Sequence, residues 1–274
     1  MKFLVFQGGL GNQLFQYAYY QYIRTKYPNQ SIYMVSLSKS KVGHYGLEID
    51  KWFDVKLPKQ NFISKTVGYL LYKVNRFNYN HHLPIFLTSV DDQYNESKPL
   101  YYGYWQDVRF LEKKSFPKFK KDLKLNDKNL EVLKNIKSTN SVAVHVRRGD
   151  YLKGGALDIY GGICTEEYYK KAIEMMNSKL SDPSYYFFSD DPDYIYNAFD
   201  YVDKKTVVSW NTGQNSFLDM YLMSHAGNMI LANSSFSCWA AYLNHNNGFI
   251  ICPVRWTNKK KSPNVQFENW INIL

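Results

Sequence analysis

The chain has 274 residues, of which 45% are hydrophobic and 21% are charged. This length and composition exclude a small disulfide-stabilised scaffold and a disordered chain, and they fit one large domain or two domains of about 130 residues each. The net charge of +10, from 34 basic and 24 acidic residues, indicates a negatively charged partner: nucleic acid, an anionic membrane or a phosphorylated small molecule. Codon bias toward lysine is the alternative explanation.

The cysteines and the first residues indicate the cellular compartment. Cys164, Cys238 and Cys252 form no C-x-x-C pair, so we expect neither a disulfide framework nor a structural zinc site. The apolar run 3–6, which ends at Gln7, is too short for the core of a signal peptide, and no stretch approaches the ~20 apolar residues of a membrane span. We therefore expect a cytoplasmic enzyme.

The chain opens with the pattern strand, glycine turn, helix. Residues 3–6 predict a short buried strand and residues 8–11 a tight turn. Residues 13–27 predict a helix, since Leu14 and Tyr22 belong to a set of side chains that recur every fourth residue. Rossmann-type α/β domains share this opening.

The middle of the chain is less regular. Residues 50–104 are aromatic without a clear period, and we expect the lysine-rich stretch 111–137 to be helical. We place a domain boundary near residue 138, which divides the chain into an N-terminal domain, 1–138, and a C-terminal domain, 139–274.

The C-terminal half alternates short apolar strands with amphipathic helices. The predicted order is strand 141–146, helix 165–180, strand 185–188, a helix from 191, strand 207–208, helix 216–224, strand 229–231, helix 235–243 and strand 249–251. Such alternation predicts a parallel sheet covered by helices. Ligands bind beyond the carboxyl ends of such strands, so the residues that follow each strand are candidate site residues.

Polar residues follow three of these strands. They are Arg147, Arg148 and Asp150 after the first, Ser189, Asp190 and Asp191 after the second, and Asn233, Ser234 and Ser235 after the strand 229–231. These cations, carboxylates and hydroxyls suit a nucleotide with a charged diphosphate and a hydrogen-bonding base. Structural roles are the alternatives: a surface ion-pair cluster for the arginines, a buried core position for His145, and helix caps for Asp191 and the serines.

The glycine turn is a weaker signal. Gly8, Gly9 and Gly11 follow a strand and open a helix, which permits close backbone approach to a substrate and an anion at the helix N-terminus. The turn lacks the G-x-G-x-x-G spacing and the Lys-Ser/Thr of a P-loop. It therefore identifies no ligand by itself.

Four segments, residues 8–18, 145–151, 188–191 and 233–237, occur in the order seen in the α-1,2-fucosyltransferase family, which this chain resembles. The resemblance implies an α/β GT-B glycosyltransferase with two Rossmann-like domains facing across a cleft. The N-terminal domain would face the acceptor and the C-terminal domain would hold GDP, with a C-terminal segment that can pack back on the N-terminal domain. One departure is Cys238, where the family often has tryptophan.

The family's reaction is the inverting transfer of L-fucose from GDP-β-L-fucose to the 2-hydroxyl of a terminal galactoside. By resemblance, Arg147 pairs with the β-phosphate with support from Arg148, and Asn12 faces the transferred sugar. His145 and one of Asp190 or Asp191 would lie near guanine. The residues expected around the donor are Gly9, Gly11, Asn12, His145, Arg147, Arg148, Ser189, Asp190, Asp191, Asn233, Ser234, Ser235 and Phe236.

The catalytic base stays open at this point. Asp150 is the candidate because it follows the same strand as Arg147, and an ion pair with an arginine is the alternative role. A good leaving group also makes a strong base dispensable. We expect no metal, because arginines take the leaving-group role and Pro192 makes Asp191-Pro192-Asp193 a helix start rather than a metal-binding D-x-D motif.

Two other classes of protein fit less well. The basic residues are dispersed except at 259–261, which does not favour a nucleic-acid-binding module, and the glycine fingerprint of a Rossmann oxidoreductase is absent. A transferase that uses another GDP-sugar or another acceptor hydroxyl is the nearest alternative. We expect the partners to be GDP-fucose, a galactose-terminated oligosaccharide or lipid-linked glycan, and peripherally an anionic membrane through lysines.

Overall fold

The computed structural model describes residues 1–37, 45–80, 87–88 and 94–274. Within these residues the chain forms two compact units, Met1–Lys121 and Asp122–Leu274. Each unit is built on a parallel sheet. Part of the irregular aromatic stretch, residues 81–86 and 89–93, lies outside the described residues.

The first unit contains a four-stranded sheet with the strand order β2-β1-β5-β4 and a small antiparallel pair, β3 with β6. Its elements are β1 (Lys2–Phe6), α1 (Leu10–Lys26), β2 (Ile32–Ser36), α2 (Ile49–Trp52), β3 (Phe53–Asp54), a π-helical segment (Ser64–Gly68) that continues into α3 (Tyr69–Asn80), β4 (Leu87–Thr88), β5 (Leu100–Tyr101) and β6 (Lys118–Phe119). The predicted opening of strand, turn and helix is confirmed, with α1 beginning three residues before its predicted start at Gln13.

The second unit contains a six-stranded parallel sheet with the order β12-β11-β10-β7-β8-β9. Its elements are α4 (Asp127–Ser138), β7 (Ser141–Val146), α5 (Gly154–Tyr160), α6 (Glu166–Lys179), β8 (Ser184–Ser189), α7 (Pro192–Ala198), β9 (Lys205–Val208), α8 (Phe217–Met223), β10 (Asn228–Ile230), α9 (Ser235–Tyr242), β11 (Ile250–Pro253) and β12 (Ile271–Ile273). The alternation of strands and helices read from the sequence is confirmed, while α5 and β12 were not predicted.

The register of the central strands brings the polar strand ends together. All six residues of β7 are buried, and β7 lies between β10 and β8. Val146 at the end of β7 pairs with Ser189 at the end of β8, and Ile230 at the end of β10 pairs with Val144. Because parallel strands end at the same edge, the residues after these three strands meet at one edge of the sheet.

Helix caps fix where several helices of this unit begin. The side chains of Asn126 and Thr165 accept backbone hydrogen bonds at the starts of α4 and α6, and Asp191 does so at the start of α7, where Pro192 takes the first helical position. Each cap satisfies a backbone N–H that has no partner within its helix. The helix starts predicted near Thr165 and Asp191 therefore follow from cap chemistry, whereas the cap at Asn126 was not predicted.

The helix predicted over 111–137 is wrong in its first half. Only α4 is α-helical, and residues 111–126 contain one 3-10 turn, Lys113–Ser115, and β6. Pro117 restricts the residue before it, and Phe116 is extended with φ −64° and ψ 136°. The division between the units falls at 121/122 rather than near 138 because α4 packs on β7 and α8. The C-terminal strand β12 pairs with β11 and so belongs to the second unit.

No helix among the described residues combines the length and the apolar character that a bilayer crossing needs.

Candidate functional site

An ion-pair network joins the ends of β7 and β8. Arg147 Nη1 lies 2.9 Å from Asp190 Oδ2, and Arg147 Nη2 lies 2.7 Å from Asp150 Oδ1. The other oxygen of Asp190 accepts a hydrogen bond of 2.9 Å from the backbone N–H of Arg148. Asp190 therefore positions both the side chain of Arg147 and the backbone that follows it. The side chain of Arg147 is 27% exposed and that of Asp150 is 56% exposed.

Arg148 makes a separate set of contacts with α7. Its Nε donates to Asp191 Oδ2 at 3.0 Å, and its guanidinium lies 3.5 Å from the centroid of the Tyr194 ring. Asp191 Oδ1 accepts from the backbone N–H of Tyr194, and Ser189 Oγ accepts from the backbone N–H of Asp191. The helix-cap role of Asp191, an alternative at the level of sequence, is present in the structure.

Gly149 is required by the close approach of Asp190. A Cβ atom on Gly149 would lie 2.5 Å from Asp190 Oδ2, closer than any real contact of this kind. A side chain here would push the carboxylate away from Arg147. The glycine between Arg148 and Asp150 therefore keeps the ion-pair network intact.

His145 lies near the end of β7 and is buried. The Tyr169 hydroxyl donates to its backbone carbonyl at 3.0 Å, and its ring lies 5.7 Å from that of Phe236. Burial, assisted by the positive charge of Arg147, lowers the pKa of His145 to about 3. Its Nδ1 atom is buried and has no hydrogen-bond partner among the described residues. A neutral imidazole with an unused nitrogen is suited to hydrogen-bond a ligand.

Of the three polar residues that follow β10, two have structural roles and the third has a hydroxyl that could bind a ligand. Asn233 Nδ2 donates to the carbonyls of Tyr160 and Trp256 at 3.1 and 3.2 Å, and Ser234 Oγ accepts from the backbone N–H of Phe236 at the start of α9. These two side chains hold loops in place. Ser235 is half-buried in the first turn of α9 and makes no hydrogen bond through its hydroxyl within the described residues.

Tyr151 is a site residue that the sequence analysis missed. Its ring lies 5.6 Å from the guanidinium of Arg147 and stacks on Tyr160 at 4.7 Å. Its hydroxyl donates to the carbonyl of Asn233 at 3.1 Å. Tyr151 thus connects the ends of β7 and β10. Its position directly after the Arg-Arg-Gly-Asp segment was the signal available in the sequence.

Asp219 is a second residue that the sequence analysis missed. It lies in the first turn of α8, and its Oδ1 accepts from Asn211 Nδ2 at 2.8 Å, while Asn211 exchanges two hydrogen bonds with Asn129. Trp210 Nε1 also donates to Asn129. Burial raises the pKa of Asp219 to about 8. A carboxyl group perturbed in this way on the carboxyl-end side of the sheet is a functional candidate.

The remaining predicted residues, Gly9, Gly11 and Asn12, lie in the first unit. Gly9 precedes α1 and its carbonyl accepts from the N–H of Asn12 at 2.9 Å. Gly11 is buried within the first turn, and Asn12 Oδ1 accepts from Gln106 Nε2 at 2.9 Å. Within this turn the glycine with a positive φ is Gly8, at +78°, so Gly8 and not Gly9 or Gly11 needs the conformational freedom of glycine.

Two buried glutamines of the same segment hold the turn. Gln13 Nε2 donates to the carbonyls of Gly8 and Gly46 at 2.9 and 2.7 Å, and its Oε1 accepts from the N–H of Glu48 at 2.8 Å. Gln16 exchanges two hydrogen bonds with the backbone of Gln7. Gln13 thus ties the turn to the loop before α2, and Gln16 ties α1 to the residue that follows β1.

No group of three or more metal-ligating side chains with suitable placement occurs in the part of the chain that the structure describes.

One protein-family model and two curated proteins match most of this chain. Residues 69–274 match the model of "Glycosyl transferase family 11". An Escherichia coli alpha-1,2-colitosyltransferase is 31% identical over 292 aligned residues, which cover 97% of this chain and 96% of the relative. The Escherichia coli O-antigen biosynthesis glycosyltransferase WbnK is 25% identical, with 97% and 98% covered.

Solved structures agree on the fold. NodZ, an alpha-1,6-fucosyltransferase co-crystallised with GDP, has a TM-score of 0.52 at 10% identity and covers 88% of this chain and 91% of its own. The NodZ structure from Bradyrhizobium also has a TM-score of 0.52. At this identity the likeness concerns the fold. The family model and the 31% identical relative show that this chain belongs to glycosyl transferase family 11. The chain is an α/β glycosyltransferase with the GT-B fold.

Proposed function

We propose that this glycosyltransferase is inverting and moves L-fucose from GDP-β-L-fucose to the 2-hydroxyl of a terminal galactoside, on an oligosaccharide or a lipid-linked glycan. The proposal rests on one observation: Arg147 is held by Asp190 at the edge of a parallel sheet, beside the neutral and buried His145. A fixed cation at this edge can stabilise the negative charge that develops on a departing diphosphate. Family membership supports the transferase chemistry.

The two carboxylates on Arg147 differ in a way that suits ligand exchange. Asp190 is anchored by a second hydrogen bond from the backbone of Arg148, whereas the carboxylate of Asp150 is more exposed and contacts only Arg147 among the described residues. An arriving diphosphate would displace Asp150 from Nη2 and leave Asp190 in place. Arg147 would then pair with phosphate oxygens while Asp190 keeps it oriented.

In the proposed reaction, the galactose 2-hydroxyl oxygen attacks C1 of fucose as the bond from C1 to the β-phosphate oxygen breaks. The electron pair of that bond stays on GDP, where Arg147 stabilises it. The hydroxyl proton passes to Asp150, released from its ion pair, or to water. Attack from the face opposite the leaving group converts the β-linked donor into an α-linked product.

Recognition of guanine needs an acceptor for its N1–H and N2 amine, which a carboxylate can supply through two parallel hydrogen bonds. Both oxygens of Asp190 already accept hydrogen bonds from the Arg147 and Arg148 region. Asp219 has one oxygen bonded to Asn211, and its other oxygen accepts none within the described residues. Asp219 is therefore a competing candidate to Asp190, but its carboxyl group, whose pKa burial raises to about 8, must lose its proton when guanine binds. His145 Nδ1 offers a further contact.

A thermal-shift series with GDP, ADP, NAD and duplex DNA at matched ionic strength tests the donor class. Ligand at ~100 times its dissociation constant adds about 2.7 kcal/mol to the free energy of unfolding, so GDP should raise the melting temperature by a few degrees. Equal shifts with GDP and ADP would refute guanine recognition. A salt-sensitive shift with DNA alone would favour nucleic-acid binding instead.

One relative favours a second candidate donor. The 31% identical Escherichia coli protein is an alpha-1,2-colitosyltransferase, and colitose is the 3-deoxy analogue of L-fucose. Comparing kcat/KM for GDP-fucose and GDP-colitose with a galactoside acceptor separates the two donors. A site that hydrogen-bonds the fucose 3-hydroxyl should discriminate strongly against colitose, so a preference for GDP-colitose would replace fucose as the transferred sugar. Linkage analysis of the product tests transfer to the 2-hydroxyl.

A further inference from the structure

The first unit carries an exposed apolar stripe on the continuous helical run 62–80, formed by residues 62–63, the π-helical segment and α3. The stripe consists of Phe62, Ile63, Val67, Leu70 and Val74. Phe62 is 79% exposed and Leu70 is 61% exposed. From Ile63 onward these residues follow one another at intervals of four, three and four, which places them along one side of a helix.

The opposite side of the same helical run is anchored in the core of the unit. Ser64, Gly68, Tyr72 and Asn75 are buried. A Cβ atom on Gly68 would lie 2.7 Å from side-chain atoms of Phe3 and Val35, so the helix backbone rests directly on the sheet. The helix is therefore rigidly attached, and its apolar stripe cannot be buried by rotation of the helix.

Between residues 55 and 90, the stretch of the sequence that contains the stripe, every Lys, Arg, Asp or Glu is basic. The cations are Lys56, Lys59, Lys65, Lys73 and Arg76, all exposed. The sequence contains no Asp or Glu between Asp54 and Asp91. None of the five cations forms an ion pair in the described part of the chain. The surface is thus both apolar and uncompensated in positive charge.

We propose that this stripe and its flanking cations form a docking surface for an anionic lipid bilayer. Interfacial helices combine a Phe- and Leu-bearing apolar side with Lys and Arg, so that apolar side chains enter the headgroup region while the cations contact lipid phosphates. Positive charges add attraction to an anionic leaflet that weakens with salt. The proposal assigns part of the net positive charge of the chain to this surface, with an anionic bilayer as its partner.

The test is co-sedimentation of the full chain with vesicles of phosphatidylglycerol and phosphatidylcholine, compared with phosphatidylcholine alone. We expect salt-sensitive binding to the anionic vesicles only. The double variant Phe62→Gln with Leu70→Gln should bind at least about tenfold more weakly, and Lys65→Glu with Lys73→Glu should lose about tenfold or more independently. Because these side chains are exposed, the melting temperature should stay unchanged.

The matched control is Leu130→Gln with Lys134→Glu on α4, which removes a 51% exposed leucine and a lysine from the second unit. It should keep wild-type binding. Equal binding to neutral vesicles, or equal loss in the control, would overturn the proposal. So would a wild-type dimer in lipid-free solution that the Phe62→Gln, Leu70→Gln variant makes monomeric, because the stripe would then join two copies of the chain. The assay contains no sugar nucleotide, so its result is independent of the proposed transfer reaction.

Discussion

The glycine turn of the first unit and the arginine segment of the second are held in place by different chemistry. At the turn, Gln13 and Gln16 are buried, neutral and hydrogen-bonded to backbone groups. At the end of β7, Arg147 and Asp190 are charged, paired and about a quarter exposed. A buried amide network can only hold the backbone, whereas a partly exposed ion pair can exchange one partner for a ligand.

Because of this difference, we expect variants at the two glutamines to lose stability and variants at the arginine to lose activity. A buried polar group left without a partner destabilises a fold by about 1–3 kcal/mol, while a partly exposed ion pair contributes about 1 kcal/mol or less. Variants at the glutamines should therefore unfold more easily. Variants at the arginine should fold normally and fail in catalysis.

The largest effect is expected for Arg147→Ala. Turnover with GDP-fucose should fall by roughly 10²-fold or more, about 3 kcal/mol, the scale for one preorganised electrostatic group. Arg147→Lys should restore only part, since lysine cannot present a planar fork to two phosphate oxygens. The control is Arg109→Ala, which removes an exposed arginine paired with Asp107 in the first unit. A near-native kcat for Arg147→Ala would show that this arginine is only a surface ion-pair partner.

The next effect is on stability. Gln13→Ala removes the hydrogen bonds to the carbonyls of Gly8 and Gly46 and from the N–H of Glu48, so the free energy of unfolding should fall by about 2–3 kcal/mol. Denaturant titration measures this loss. Gln21→Ala, which removes a half-buried amide bonded to the Tyr17 hydroxyl, should change it by less than about 1 kcal/mol. Equal stability of the two variants would contradict the anchoring role of Gln13.

A smaller effect appears as pH dependence through His145. Its pKa is lowered from 6.5 to about 3 in the folded protein, so protonation favours the unfolded chain as the pH falls below 6.5. The resulting loss in the free energy of unfolding continues until about pH 3. Between pH 7 and pH 5 it amounts to about 2 kcal/mol. His145→Asn should remove this part of the acid sensitivity in denaturant titrations at both pH values. An unchanged pH dependence would show that His145 ionises freely.

Variants of Asp190, Asp191 and Asp219 should separate recognition of guanine from capping of α7. Asp191→Asn should lower the ligand-free melting temperature through a loss of about 1 kcal/mol at the α7 cap. Changing the carboxylate that binds guanine to Asn should reduce the preference for GDP over ADP by about tenfold. The thermal shifts of Asp190→Asn and Asp219→Asn will show which of the two carboxylates this is. Asp190→Asn should also lower kcat because Asp190 orients Arg147. If Asp191→Asn alone altered the preference, the cap assignment would be wrong.

The sequence predicted the elements whose signals are local. The apolar runs of β1, β7 and β8 and the Asp191-Pro192 helix start are visible in consecutive residues, and all are present. The predicted helix 111–137 is correct only from residue 127 onward, because Pro117 keeps the first half of this lysine-rich stretch from forming a helix. Tyr151 was missed because its partner Asn233 is 82 positions away in sequence. Asp219 was missed because its shifted pKa comes from burial, and because its neighbour Asn211 is held by Asn129, 82 positions away. Such partners become visible only once the sheet order is known.

The smallest expected effect is that of removing divalent metal ions, which should not change the rate of transfer. Fucose transfer should proceed at the same rate in excess EDTA, because the proposed role of Arg147 replaces a divalent cation at the diphosphate. The Asp191-Pro192-Asp193 segment resembles a metal-binding D-x-D motif, yet Asp191 has one oxygen on Arg148 Nε and the other on the N–H of Tyr194. A metal would have to break the cap of α7 and release Arg148 to bind there. Activity that disappears with EDTA and returns with magnesium or manganese would mean that the charged edge of the second unit binds its ligand through an ion, and that Arg147 is held by Asp190 for a structural reason.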